Sequence, residues 1–361
     1  MGVRTDHRRM KIATAFAIAC ALAVIGRAQE KTYPSPAELP NPYRLVDHWA
    51  QLPVSMNGGQ WGEVIRVHVD DNNGDVWVFH RCFNVIPAGS ATCMNRGAAN
   101  PPILKFNASG RLIKSFGAGL FAYPHGFTVD NEGNLWATDV DDQQSNFGQE
   151  VLKLSADGKV LMTLGKKGVA GTGADGFDRP TSVAVARDGS IFVADGHAPN
   201  KFGAARIVKF SKDGRYVKEW GRKGSAPGEF DEPHDLFVGG SRGWVYVADR
   251  RNNRIQVFDQ NGGFIAAWKQ FGQPSSVFVG KDDAIYVGAS FPSTTAKKGE
   301  LRGIVVGNAI SGALTAFIPD PADLDKVIRG TSASGIAADR NGAIFAADVG
   351  AHNLRKYVKT R

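Results

Sequence analysis

Two histidines occupy equivalent positions in two copies of an internal repeat. His125 lies in Pro-His-Gly-Phe-Thr-Val-Asp and His234 in Pro-His-Asp-Leu-Phe-Val, and each opens a strand-like stretch after a short turn. When repeats close into a ring, equivalent residues come together around its axis. Because imidazole is the commonest metal ligand in proteins, the pair predicts the beginning of a metal site. The alternative is that both histidines only hydrogen-bond to turns at the mouth of the central tunnel of such a ring.

Such a site would need further ligands, since zinc takes three or four nitrogen, oxygen or sulfur ligands. The equivalent positions in the four remaining copies hold no strong metal ligand; they are Ile65, Thr181, Ser275 and Ser334. A third candidate is His197 in Ala-Asp-Gly-His-Ala-Pro, which falls between the two histidines in ring order. It could ligate a metal or act as a general base. The alternative for His197 is an exposed loop histidine without a chemical role.

Arg81 is a candidate for binding an acidic group. It ends a strand in His80-Arg81-Cys82, where other copies place Ala-Asp. A guanidinium there can bind a carboxylate bidentately at the face of the ring. The aspartates that recur at this repeat position are interpreted as acceptors for turn amides rather than as catalytic groups; they are Asp139, Asp195, Asp249 and Asp348.

The elements that would position these residues are short strands. Each copy pairs two alternating apolar stretches across a turn with Gly or Asn, which is typical of a β-hairpin. Six such hairpins cover residues 62–80, 126–139, 182–195, 235–249, 276–289 and 335–348, and third and fourth strands follow in most copies. Four short strands in roughly 40 to 60 residues are typical of a propeller blade. The pattern predicts an all-β, six-bladed β-propeller.

The two ends of the repeat region predict how the ring closes. The last copy stops after three strands, at 353–358, and residues 43–49 have the pattern of an outer strand with no inner strands before them. We therefore expect the N-terminal strand to complete the last blade and to remove its unpaired edge. The predicted propeller domain covers 43–361, after an N-terminal extension at 29–42. A closed ring needs no partner at its edges, so a monomer is expected.

Residues 1–28 have the pattern of a secretory signal peptide. Basic residues precede the apolar run 12–25, and Gly26-Arg27-Ala28 offers a cleavage site with small residues at 26 and 28. The expected location is secreted or periplasmic, with no membrane association after cleavage; an uncleaved anchor is the alternative. The net charge is +8, and the first 28 residues hold five basic residues and one acidic residue, which leaves +4 for the rest. This charge is too small to indicate a nucleic-acid partner.

Cys82 and Cys93 are the only cysteines outside the predicted signal peptide. In an oxidising compartment an even pair of cysteines favours a disulfide. The alternative is two reduced, buried thiols. A site made of cysteines alone is disfavoured because the mature chain has no further cysteine to complete it.

The motifs resemble a known family. The strand motifs are similar to NHL repeats, and their order resembles the peptidyl-α-hydroxyglycine α-amidating lyases. The similarity runs from about Val46 to Tyr357. Its most specific stretches are 61–64 with 76–81, 123–126 with 136–140, 179–185 and 233–235.

The resemblance implies zinc at the tunnel mouth, a structural calcium in the tunnel, and cleavage of a carbinolamide N–C bond that releases a peptide amide and glyoxylate. Two zinc histidines of the family fall on His125 and His234, the substrate-contacting arginine on Arg81 and the active-site tyrosine on His197. The third zinc histidine falls on Ser334, and the adjacent acidic calcium ligand falls on Gly335. The site is therefore either rebuilt with His197 or inactive.

Two hypotheses follow from these observations. The first is a secreted, lyase-like propeller with a divalent metal on His125 and His234, acting on a peptide or small-molecule substrate. The second is a non-catalytic NHL-repeat propeller that binds a ligand or protein partner on its looped face. A calcium-dependent lactonase-type propeller is disfavoured because the inner ring lacks the Glu, Asn and Asp ligands for that chemistry.

Overall fold

The computed structural model describes residues 1–2, 33–82, 93, 99–140, 146–289, 302–321 and 333–360. The chain divides into two compact units, Met1–Thr32 and Tyr33–Arg361, and the second contains all the strands below. The predicted signal peptide at 1–28 lies almost wholly outside the described residues. The signal peptide and the domain boundaries therefore stay predictions. Within the described ranges, no helix has the length and apolarity to cross a bilayer.

The fold is a six-bladed β-propeller, as predicted. After β1 (Tyr43–Val46), the strands form antiparallel four-stranded sheets in chain order. Blade one is β2 (Val64–Val69), β3 (Val76–His80), β4 (Ile103–Phe106) and β5 (Leu112–Phe116); blade two is β6 (Pro124–Val129), β7 (Leu135–Asp139), β8 (Glu150–Leu154) and β9 (Val160–Gly165); blade three is β10 (Pro180–Val185), β11 (Ile191–Asp195), β12 (Arg206–Phe210) and β13 (Tyr216–Trp220). Blade four is β14 (Pro233–Gly239), β15 (Trp244–Asp249), β16 (Arg254–Phe258) and β17 (Phe264–Trp268); blade five is β18 (Pro274–Val279), β19 (Ala284–Ala289), β20 (Gly303–Asn308) and β21 (Leu314–Pro319); blade six is β22 (Gly335–Ala338), β23 (Ile344–Asp348) and β24 (Asn353–Lys359) with β1.

The core lies between blades as well as within them. Inner strands are buried on both faces, whereas outer strands such as β9 are largely exposed. Phe79 of blade one packs against Phe121 and Phe127 at the start of blade two, with ring centroids 5.0 and 5.4 Å apart. Trp220 of blade three lies 6.0 Å from Phe258 of blade four. Aromatic rings thus join consecutive blades by burying apolar area.

A β-bulge near the start of the inner strand recurs in five blades. The register between first and second strands shifts around one position in each, and the residues there are Ile65, His125, Thr181, His234 and Ser275. In blade six, Ser334 directly precedes β22. A bulge redirects a side chain out of the regular pleat. The positions that the repeat alignment made equivalent are therefore structurally equivalent, and all six residues are buried.

The recurrent aspartates are acceptors for backbone amides, as predicted. Asp139 accepts from the amides of Ala122 and Tyr123, Asp195 from Asp178, Asp249 from Asp231, and Asp348 from Ala351. In blades two, three and four these donors lie just before the inner strand. In these three blades the aspartates therefore fix the approach to the bulge.

The predicted disulfide between Cys82 and Cys93 is confirmed, with the Cα atoms 5.0 Å apart. The amide of Cys93 also donates to the carbonyl of Ala122, at 3.0 Å. The bridge therefore ties the residue after Arg81 to the segment that leads into blade two.

Strand β1 closes the ring by pairing with β24, which confirms the predicted closure. Tyr43 opposes Lys359 and Val46 opposes Lys356. The carbonyl of Pro40 accepts from the amide of Phe317 in blade five, at 3.1 Å. The segment before β1 therefore contacts blade five while β1 itself belongs to blade six.

Deleting residues 1–46 should lower the melting temperature by roughly 5–10 °C relative to a chain that starts at Tyr33, because it exposes β24 and removes the buried Tyr43. Differential scanning calorimetry of the two truncations measures this. Equal melting temperatures would show that β1 does not stabilise the ring.

Candidate metal centre

His125 and His234 are held in the same way by neighbouring blades. Nδ1 of His125 is 2.7 Å from the carbonyl oxygen of Thr181, and Nδ1 of His234 is 2.7 Å from that of Ser275. A carbonyl only accepts, so each Nδ1 carries the proton and each Nε2 keeps its lone pair. The next bulge along the ring thus fixes the tautomer that presents Nε2 to a metal.

His197 lies in the connection between β11 and β12 and joins the pair. Its ring centroid is 4.9 Å from that of His125 and 5.6 Å from that of His234. The centroids of His125 and His234 are 4.8 Å apart. One ligand nitrogen from each of the three lies within 4.8 Å of the others. Nδ1 of His197 lies 2.9 Å from the carbonyl of Ala198, so it is also the donor. The structure brings together the three histidines that the sequence put forward.

The cluster fits a metal ion. Nε2 of His125 is buried and has no hydrogen-bond partner in the part of the chain that the structure describes. A buried acceptor without a partner is costly, and a metal ion would satisfy it. Three neutral imidazoles match the ligands that zinc takes in open catalytic sites.

The three histidines are kept neutral by their surroundings. Burial lowers the pKa of His125 well below its usual value, and His234, His197, Arg66 and Arg81 lower it further. Burial, then Arg179, Arg250 and Arg81, lower the pKa of His197. Burial, then Arg250, Arg66 and His197, lower the pKa of His234. The neutral form that ligates metals is therefore the stable form in a positively charged site.

Arg81 reaches the site already paired with an acidic residue. It is buried, its Nη1 donates to Oε2 of Glu63 at 2.5 Å, and its Nε donates to the carbonyl of Pro124 at 3.2 Å. Its guanidinium carbon lies 4.0 Å from the ring centroid of Tyr123. The predicted carboxylate partner is therefore internal in this structure, and a role in substrate binding stays a prediction.

Glu232 is a site residue that the sequence analysis missed. Its Oε1 lies 3.7 Å from Nε2 of His197, while Oε2 accepts from Nε of Arg251 at 2.7 Å. The carboxylate is buried and also lies 3.7 Å from Arg250. A cavity of about 290 Å³ beside it is lined by Ala198 and Pro199 among others.

A signal for these acidic residues was present in the repeat. The position two residues before Ile65, His125, Thr181, His234, Ser275 and Ser334 holds Glu63, Tyr123, Arg179, Glu232, Gln273 and Ser332, respectively. Most of these residues are polar, and they are adjacent in sequence to the inner strands. Reading this second position around the ring would have found Glu63 and Glu232.

The tunnel residues do not fit the calcium that the resemblance implied. At Gly335 a carboxylate ligand is missing, and a Cβ atom there would lie 2.7 Å from Cα of Arg66. The guanidinium of Arg66 donates to the carbonyls of Ile65, His234 and Ser334. Ser334, at the position of the family's third zinc histidine, supplies one of these carbonyls to Arg66. The cluster of His125, His197 and His234 forms without a side chain from this position.

Comparison with known proteins supports the repeat and its resemblance. A family model described as NHL repeat matches residues 230–258, which include the first three strands of blade four. A probable peptidyl-alpha-hydroxyglycine alpha-amidating lyase from Caenorhabditis elegans is 37% identical over 206 residues, 55% of this chain and 55% of that protein. Peptidyl-glycine alpha-amidating monooxygenase A from Xenopus laevis is 32% identical over 267 residues, 69% of this chain and 26% of that protein. The chain thus spans about half of the first relative and about a quarter of the second.

Two further comparisons concern the whole propeller. NHL repeat-containing protein 3 from Homo sapiens is 29% identical over 326 residues, 88% of this chain and 84% of that protein. The solved structure of a gluconolactonase from Xanthomonas campestris covers 92% of this chain and 99% of its own, with a TM-score of 0.56 and 15% identity. At this identity the likeness shows the fold alone. The chain thus folds as a six-bladed propeller with a match to the NHL repeat in blade four, and its sequence resembles the amidating lyases.

Purified protein loaded with zinc should bind about one ion per chain, because the centre offers three imidazoles. His125→Ala and His234→Ala should bind almost none, and His197→Ala should bind at least about tenfold more weakly. Metal analysis by mass spectrometry and competitive titration measure this. A matched control is His352→Asn, outside the cluster, at a φ of 50° that asparagine tolerates. Equal zinc content in all variants would reject the centre.

His80 should make stability depend on pH. Burial lowers its pKa to about 4, despite hydrogen bonds with backbone that raise it, whereas an unfolded histidine titrates near 6.5. Its contribution is complete above about pH 6.5 and is lost as the pH falls toward 4. Urea unfolding of wild type and His80→Gln should give a difference that shrinks by about 2 kcal/mol between pH 7 and pH 5. A difference that does not change with pH would contradict this.

Proposed function

We propose that the protein is a metal-dependent lyase that cleaves the C–N bond of a peptidyl-α-hydroxyglycine and releases a peptide amide and glyoxylate. The observation that carries the proposal is the three-histidine cluster, with His125 Nε2 buried and unpartnered within the described residues. Sequence similarity to proteins named as amidating lyases supports the reaction class.

His125, His197 and His234 would hold the metal through Nε2. The carbonyls of Thr181 and Ser275 fix the first and third rings before any ligand arrives. When bound, zinc supplies a Lewis acid that polarises the hydroxyl oxygen of the substrate. The chain contributes rigid orientation of the ligands, which raises affinity because little ordering remains to be done on binding.

The charge around the histidines suits the anionic end of this substrate. Arg81, Arg179 and Arg250 are the basic groups that lower the pKa of His197 after burial. A peptidyl-α-hydroxyglycine ends in a carboxylate, and clustered guanidinium groups in a partly buried site attract such an anion. We assign Arg81 as the residue that binds the carboxylate of the substrate. Glu63 holds the guanidinium of Arg81 in position.

Glu232 is the residue that we assign as proton acceptor. One carboxylate oxygen is tied to Arg251, and the other lies beside His197. It would take the hydroxyl proton as the C=O bond of glyoxylate forms and the C–N bond breaks. Returning that proton to the departing nitrogen gives the neutral amide, so the chain is unchanged after turnover.

We also propose that the protein acts outside the cytoplasm. The disulfide between Cys82 and Cys93 supports this, because such bridges persist in oxidising compartments.

A second candidate is a non-catalytic propeller that binds a ligand or protein partner. The observation that favours it is the similarity to NHL repeat-containing protein 3 over 88% of the chain. It predicts metal-free protein whose folding is unchanged in a His125→Ala/His234→Ala variant.

Wild-type protein with zinc should release glyoxylate from a peptidyl-α-hydroxyglycine, and Glu232→Gln should lower kcat by about 100-fold or more at unchanged zinc content. His234→Ala should lose both zinc and turnover, because it removes a ligand. Glyoxylate is measured by reduction with a coupled dehydrogenase, and zinc by mass spectrometry.

The control for this experiment is His352→Asn, which should match wild type. Absence of glyoxylate from fully zinc-loaded wild type at saturating substrate would reject the lyase. Full activity of Glu232→Gln would reject only the assigned proton acceptor.

A further inference from the structure

Arg66 places a buried positive charge inside the ring. It follows the bulge residue of blade one and is 3% exposed. Its Nη1 donates to the carbonyls of Ile65, at 3.0 Å, and Ser334, and its Nη2 donates to the carbonyl of His234, at 3.0 Å. One side chain therefore joins blades one, four and six through backbone carbonyls.

A carboxylate completes the surroundings of this guanidinium. Oδ1 of Asp235 lies 3.3 Å from Nη2 of Arg66. The same carboxylate accepts from Oγ of Ser182, at 2.7 Å, and from the amide of Val277, at 3.0 Å, so blades three and five hold it in place. Backbone carbonyls together with a carboxylate are the ligands that a hard cation such as calcium takes.

We infer that the guanidinium of Arg66 is the resident cation of the tunnel and that the propeller is stable without a structural calcium ion. A guanidinium is always charged and has five donors in a plane, which suits several carbonyls arranged around it. This inference concerns the ring itself and does not depend on the lyase proposal.

Gly335 supports the replacement from the opposite side. A Cβ atom at this position would lie 2.7 Å from both Cα of Arg66 and the carbonyl oxygen of Ile65, which are backbone atoms. No side chain, and hence no carboxylate ligand, fits at 335 while the backbone of Arg66 runs there. The backbone position of Arg66 therefore requires a glycine at 335.

The local charge also opposes a divalent ion. Burial lowers the pKa of Arg66, Asp235 raises it, and the neighbouring Arg81 and Arg250 lower it again. A divalent cation placed beside Arg66 would be repelled by its guanidinium at short range, and the carboxylate there, Asp235, already offsets that charge.

Arg66 is also a positioning residue for the metal centre. It holds the carbonyl of His234 and the carboxylate of the next residue, Asp235, while Ser275 holds the imidazole ring. Losing the guanidinium would free the backbone that carries one ligand of the centre.

The test compares wild type with Arg66→Ala by calorimetry and metal analysis, in EGTA and in millimolar calcium. Wild type should retain no calcium after EGTA and should melt at the same temperature in both buffers. Arg66→Ala should melt roughly 5–10 °C lower in EGTA. Calcium should restore much of that loss, because the vacated space is lined by three carbonyls and Asp235.

Three controls isolate the cation. Arg66→Ala/Asp235→Asn should gain little from calcium, since the carboxylate ligand is gone. Arg66→Lys keeps a positive charge and should melt between wild type and Arg66→Ala without responding to calcium. Magnesium should restore less than calcium, because it demands shorter bonds and near-ideal octahedral geometry. The zinc affinity of Arg66→Ala should fall in calcium-free buffer, because Arg66 positions the backbone of His234. If Arg66 only stabilised the fold, the zinc affinity would not change.

Three outcomes would overturn the inference. Wild type that holds one calcium per chain and melts lower in EGTA would show that a metal, not Arg66, is the tunnel cation. Arg66→Ala as stable as wild type in EGTA would show that the guanidinium is dispensable. Failure of calcium to raise the melting temperature of Arg66→Ala would reject the equivalence of guanidinium and metal. If Arg66→Ala does not fold, the wild-type measurements and Arg66→Lys decide the question.

Discussion

The bulge residues exchange hydrogen bonds across blade boundaries, and the site depends on this exchange. Buried backbone carbonyls near the axis need donors, since an unsatisfied buried carbonyl is costly. The carbonyls of Thr181 and Ser275 receive the rings of the preceding blades' histidines, and that of Ser334 receives Arg66. In these three bonds the donors belong to blades one, two and four, and the acceptors belong to blades three, five and six. The same bonds that satisfy the backbone also set the imidazole tautomers.

This exchange explains which features could be predicted from the sequence. Equivalence of the bulge positions follows from the period of the repeat, so His125 and His234 could be placed together before any coordinates. The closing strand and the Cys82–Cys93 bridge were predicted from the incomplete last copy and the cysteine count, and both are confirmed. His197 was predicted only as a candidate, because a connection between strands has no periodicity that fixes its path.

Contacts between different blades were the part that sequence patterns did not predict. Glu232 and Arg66 act through neighbours from other blades or connections, and Arg66 departs from the residue types of the other copies at its position. The resemblance suggested a calcium ion in the tunnel, but it carries no information on a guanidinium beside a glycine. Only the packing of Arg66 against Gly335 makes clear that the two changes belong together.

The closing strand also sets the order of events during synthesis. Pro42 and Thr360 are hydrogen-bonded although 318 residues separate them, so the ring cannot close until the last strand has left the ribosome. Blades one to five consist of strands that are consecutive in the chain and can form earlier. Arg66 must wait for Ser334, the last of its three carbonyl partners to be made. The tunnel, and with it the final arrangement of the histidine cluster, is therefore assembled at the end of folding, after most of the blades that carry it.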